Sequence, residues 1–96
     1  MAVLSLVTAK IAPERHAEVI DPYGAAIEAG LPPGIRQTFL LVGEDGTLAI
    51  ATVWESRAAL DAMRSSGEEP FARRLLREAG GDPEASFFDV ASEGAA

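Results

Sequence analysis

With 96 residues, 15 acidic against 8 basic side chains and a formal charge of −7, the chain is sized for one domain (1–96). It lacks the basic face that nucleic-acid phosphates or an anionic membrane would demand. The absence of cysteine removes disulfides and thiolate chemistry, and 48% apolar with 24% charged residues is the balance of a globular domain with a thin core. The apolar opening MAVLSLVTAKIA has neither the basic start and cleavage site of a signal peptide nor the roughly 20 apolar residues of a membrane helix. The expected location is therefore cytoplasmic, with no membrane partner. The end of the chain, 91–96, reads as a frayed tail.

Residues 2–11 are rich in apolar and β-branched types and too short for a buried helix, so they predict a strand. Its faces are Val3, Ser5, Val7, Ala9, Ile11 and Leu4, Leu6, Thr8, Lys10. Pro13 and Glu14 suit the first turn of a helix, and Ala17, Ile20, Tyr23 or Gly24, Ile27 and Leu31 continue at helical spacing. Pro22 interrupts that series, because proline lacks the donor and crowds the preceding turn. A kink is expected there, or a restart with Asp21 as N-cap. Gly30 closes the helix, and Pro32 and Pro33 stop it.

Residues 35–42 and 47–54 predict two strands joined by GEDG, whose Asp45–Gly46 pair signals a hairpin. In the second, Leu48, Ile50, Thr52 and Trp54 share one face, and Ala49, Ala51 and Val53 the other. Ser56 caps a helix with Ala59, Leu60 and Met63, ending near Ser66–Gly67. Pro70 opens another with Phe71, Leu75, Leu76 and Ala79, stopped by Gly80–Gly81, and 85–90 form a last strand. The order β, α, β, β, α, α, β predicts an α+β fold, a ferredoxin-like split β-α-β with an antiparallel four-stranded sheet. Helices cover one face of such a sheet. The other is also apolar here, so a second copy is expected to cover it, giving a homodimer through sheet faces.

The element order, the junction Val53-Trp54-Glu55-Ser56 followed by Ala58-Ala59-Leu60, and the Pro70-Phe71 helix together resemble the antibiotic biosynthesis monooxygenase (ABM) superfamily over residues 2–91. The resemblance implies a dimeric α+β barrel. It also implies a cofactor-independent monooxygenase, an oxidoreductase acting on a small aromatic, polyketide or quinol-type molecule with no cofactor. The alternative is a non-catalytic dimer of the same fold that binds a small ligand or another protein. The haem-degrading branch of that family matches at Trp54. It needs an asparagine on the first strand, where Val7 and its neighbours stand, and a histidine after the tryptophan, whereas residues 56–80 hold none. Haem degradation is therefore excluded for want of an axial ligand.

Site candidates are few. Trp54 reads as a core anchor or as the wall of a pocket on which a flat substrate stacks, and these roles overlap. With the pairing that the resemblance implies, Ser5 and Thr52 share its face, as hydroxyls bonded to backbone carbonyls or as polar points in an apolar site. His16, the only histidine, is a weak catalytic candidate in an exposed first turn. Tyr23, after the proline, is a second catalytic candidate and could hold a substrate oxygen, or it is simply amphipathic boundary packing. Arg36 and Gln37 open the second strand, where either could meet a substrate at the pocket mouth or serve as edge-strand polarity. The acidic residues form no metal set: Glu68, Glu69, Asp82 and Glu84 lie in loops without helical i, i+4 partners. No bound metal is expected.

Overall fold

The computed structural model describes residues 1–95. Its elements are β1 (Val3–Lys10), α1 (Ala17–Ala29), β2 (Ile35–Val42), β3 (Thr47–Trp54), α2 (Arg57–Arg64), α3 (Phe71–Glu78) and β4 (Glu84–Asp89), with a single 3₁₀ turn at Pro13–Arg15. The strands form one sheet in the order β2-β3-β1-β4. Every pairing is antiparallel, which is the ferredoxin-like α+β arrangement expected. Among the described residues, no helix is long and apolar enough to cross a membrane. Of the tail 91–96, Ala96 lies outside the described residues; 91–95 carry no helix or strand.

Strand alternation decides which side chains meet the helices. Val3, Ser5, Val7 and Ala9 of β1 and Leu48, Ile50, Thr52 and Trp54 of β3 are all buried. Val3 stands opposite Trp54 and Ser5 opposite Thr52, so a single register aligns the two rows. Two packed groups follow. Val7, Ala9, Ile11, Leu48 and Ile50 meet Val19 and Tyr23 of α1 and Leu75, Leu76 and Ala79 beneath α3. At the other end, Val3, Trp54 and Leu60 pack with Ile35, Ala59 and Met63.

Among the described residues, no helix covers the opposite sheet face. That face presents Leu4, Leu6, Ala49, Ala51 and Val53, with Phe39, Leu41 and Phe88 from 43% to 52% exposed. This is the second apolar face that alternation indicated.

The first helix departs from expectation. Pro13 and Glu14 enter a 3₁₀ turn, His16 changes the helix type, and α1 begins at Ala17. It then passes through Pro22 without a restart at Asp21. With the start moved four residues along, from Pro13 to Ala17, Pro22 sits early in the helix, and the only carbonyl deprived of its i+4 donor is that of Glu18. Both residues are exposed, so water can satisfy that carbonyl and the helix continues. Ser56 caps α2 as expected, its Oγ accepting from the Ala59 amide at 3.1 Å. Gly34, before β2, has φ +93°, and a Cβ there would stand 2.9 Å from the Ala59 Cβ. Only glycine permits both that conformation and that approach. The loop is thereby seated on α2, and the Glu55 amide donates to the Gly34 carbonyl at 2.8 Å.

Candidate functional site

Between the helices and the Trp54 end of the sheet lies a cavity of about 680 Å³, within the range of small-molecule sites. Its floor is the sheet: Ser5 and Val7 of β1, Ile35 and Thr38 of β2, and Ile50, Thr52 and Trp54 of β3. Tyr23 and Ile27 of α1, Met63 and Arg64 of α2, and Phe71 and Arg73 of α3 close it above. Its rim carries the partly exposed Ile27, Leu31, Phe71 and Phe87.

The polar groups of this apolar space are connected. The Trp54 indole N–H donates to Ser5 Oγ at 3.0 Å, with both residues buried. Tyr23 Oη and Thr38 Oγ1 are 2.5 Å apart, and Thr38 Oγ1 lies 3.0 Å from Thr52 Oγ1. A chain of three hydroxyls thus crosses from α1 over β2 to β3. Among the described residues, no buried side-chain polar atom lacks a partner. Burial pushes the Tyr23 phenol above its ordinary range, against a smaller lowering by its bond to Thr38. It therefore remains neutral at physiological pH, able to hydrogen-bond but not to act as a standing base.

A β-bulge gives the chain its geometry. Strict alternation would put Ile35 and Thr38, three residues apart, on opposite faces. The register shifts between Ile35 and Gln37, so that Ile35 stands opposite Trp54 and Thr38 opposite Thr52. The extra residue, Arg36, brings both onto the cavity face.

Of the residues singled out from sequence, Trp54, Ser5, Thr52 and Tyr23 line this one cavity. Trp54 is both anchor and wall: it is a member of a packed group and a lining residue. Two candidates require correction. Arg36 does not line the cavity; the bulge leaves it exposed, and its guanidinium meets Glu93 at 3.4 Å. His16 does not line it either: its Nε2–H donates to the Ile11 carbonyl at 2.9 Å, tying the entry of α1 to the end of β1. Gln37 pairs with Val53 on the helix-free face.

Sequence reasoning missed Thr38, the link between Tyr23 and Thr52. Counting outward from a two-residue Asp45–Gly46 turn would have set it opposite Val53, on the other face; the observed register pairs Val42 with Leu48 and Thr38 with Thr52. It also missed Arg64 and Arg73, for which no periodic signal existed. Among the described residues, no three His, Cys, Asp or Glu side chains gather as metal ligands do.

No protein-family model matches the chain, and no curated protein matches its sequence. Solved structures do match. A structure named antibiotic biosynthesis monooxygenase superposes with TM-score 0.64 at 18% identity, covering 94% of this chain and 99% of its own. A monooxygenase of Streptomyces coelicolor, from the gene ActVA-Orf6 and solved with the ligand nanaomycin D, gives TM-score 0.71 at 18% identity over 99% of this chain and 90% of its own. A variant of SnoaB, a cofactor-independent oxygenase from Streptomyces nogalater, gives 0.68 at 14% identity over 96% and 95%. The chain thus has the fold of proteins named ABM monooxygenases over nearly its whole length.

Proposed function

We propose that the protein is a homodimeric, cofactor-independent monooxygenase of a small aromatic, polyketide or quinol-type molecule. The observation that carries this reading is the Trp54-walled apolar cavity, crossed by a hydroxyl chain that contains no ionised base. Such a site asks the substrate to supply its own reactivity. An anthrone-type ring system does so: its enolate reduces oxygen, the ring methylene becomes a carbonyl with one oxygen atom, and the other oxygen leaves as water. The substrate supplies all the electrons. The protein's share is to bind the ring against Trp54, exclude bulk water, and offer the Tyr23, Thr38 and Thr52 hydroxyls to the developing oxyanion. Likeness to SnoaB and to the nanaomycin-bound monooxygenase supports the reading at the level of fold.

The helix-free face, with Phe39, Leu41 and Phe88 exposed, supports the homodimer. A second copy would cover it, with roughly 2,000 Å² or more buried for an obligate pair. Light scattering at micromolar concentration should give twice the chain mass. The second reading, a dimer that binds but does not oxidise, draws on the apolar lining of the cavity alone, which suits binding with or without chemistry. Oxygen uptake with anthrones and dihydroxynaphthalenes, beside ligand-induced thermal shifts, separates the two. Uptake supports the oxygenase; shifts without uptake support the binding protein; neither response overturns the site.

A further inference from the structure

The cationic side chains of this acidic protein are used unevenly. Lys10, Arg15, Arg36, Arg57 and Arg77 each meet a carboxylate, at 2.6 to 3.9 Å. The remaining three of the 8 basic residues, Arg64, Arg73 and Arg74, make no ion pair among the described residues, and all three lie on α2 and α3. With 15 carboxylates available to 8 cations, the unpaired ones are the exception, and two of them, Arg64 and Arg73, line the cavity. The Arg64 guanidinium lies 4.5 Å above the centre of the Phe87 ring, itself a lining residue. A cation held over a ring face is attracted to it without spending its N–H groups on a carboxylate. Arg74 is placed likewise over Phe71 at 5.5 Å. The nearby Glu69 is already held by Arg77, through contacts of 2.6 to 3.2 Å, so it offers Arg73 and Arg74 only a distant attraction.

We infer that the cavity takes a planar aromatic acid, its ring against Trp54 and its carboxylate at the mouth between Arg64 and Arg73. This rests on the cavity being the ligand site and names the class of ligand. Guanidiniums present paired donors to a carboxylate and remain charged at every physiological pH. In a chain of charge −7, the same pair forms a local positive island that draws an anion to one place on an otherwise repelling surface. Phe87 holds one donor in position before the ligand arrives, reducing the ordering cost of binding. Both arginines are exposed, so the discrimination is moderate and salt-dependent.

Calorimetric titration of the full chain with 3-hydroxy-2-naphthoate and with 2-naphthol, which differ only in the carboxylate, tests this. The acid should bind about tenfold tighter at low salt, with the ratio shrinking as salt is added. In Arg64→Gln/Arg73→Gln the ratio should fall toward unity, while the affinity for 2-naphthol changes less than about twofold. Equal binding of both probes by the unaltered protein overturns the inference and leaves the cavity as the ligand site. A ratio that persists in the double variant overturns it too. Binding of neither probe removes the site, and this inference with it.

Discussion

The two ends of the helix-covered face are built from the same strands and filled in opposite ways. At the end nearer Ile11, the space around Gly81 between sheet and helices is exhausted. A Cβ added to Gly81 would stand 2.5 Å from Ile11 Cδ1, 2.8 Å from the Ala9 Cβ and 3.0 Å from the Leu76 carbonyl. Leu48, Leu76 and Val19 are wholly buried there. At the other end, the largest side chain in the protein, Trp54, fills only part of its surroundings and borders a cavity of about 680 Å³. The first end uses aliphatic side chains, with Tyr23 at its border bonding through its hydroxyl to Thr38 of the second. The second interleaves hydroxyls with aromatic rings and satisfies each of them. Stability is concentrated where packing is complete, and room for a ligand where it is not.

The sharpest way to break that contrast is at the packed end. Leu76→Ala removes a fully buried side chain from a site with no room to relax, and should cost about 3–5 kcal/mol. For a domain of this size that lowers Tm by more than about 12 °C, measurable by circular dichroism. Affinity for 2-naphthol in the surviving folded fraction should stay within about twofold. At the open end, Trp54→Ala should cost less, about 2–3 kcal/mol, because one side of the indole borders the cavity and has fewer atoms to lose. Ligand affinity should fall at least tenfold. The same variant should keep its oligomeric state, since the indole faces the helices. A folded but monomeric Trp54→Ala protein would place the ring in the subunit interface.

A smaller effect sharpens the contrast through pH. The folded state holds the Tyr23 phenol above its ordinary range, whereas the unfolded chain titrates it near the reference value of about 10. Stability attached to this group is therefore intact below pH ~10 and declines as pH rises above it, because the unfolded state then loses a proton that the folded state keeps. Tyr23→Phe should cost about 1 kcal/mol at neutral pH through the lost bond to Thr38. It should also flatten the alkaline decline in a urea-unfolding series. A decline of equal steepness in both proteins would assign it to other groups.

What the sequence made legible follows from period and punctuation. Alternation alone placed Trp54 with Leu48, Ile50 and Thr52, because period two leaves only two faces to choose between. Ser56 declared its helix by chemistry confined to four residues. The start of α1 was misread because proline followed by an acidic residue suits a 3₁₀ turn as well as an α-helix, and only the packing of Val19 and Tyr23 selects the phase. Of the two readings of Arg36, the pocket mouth gives way to edge-strand polarity, because a bulge changes face without changing composition. Thr38, Arg64 and Arg73 reach the cavity through register and helix rotation, which are properties of the assembled layers and leave no mark within any single segment.

The hydroxyl chain from Tyr23 through Thr38 to Thr52 has a consequence in proton arithmetic. Three hydroxyls carry three hydrogens, and the two bonds between them use two. One hydrogen is left over, and its position is set by the direction in which the chain runs. With Thr38 accepting from one neighbour and donating to the other, two arrangements are open: Tyr23 donates to Thr38 and Thr38 to Thr52, and the spare hydrogen emerges from Thr52 on the strand side, or every donation reverses and it emerges from Tyr23 on the helix side. No heavy atom has to move between the two arrangements. A ketone oxygen approaching either end can find a donor, and the opposite end then presents only lone pairs to an enol. The cavity can therefore receive both tautomers of one molecule, with the reversal of two hydrogen bonds as the whole adjustment.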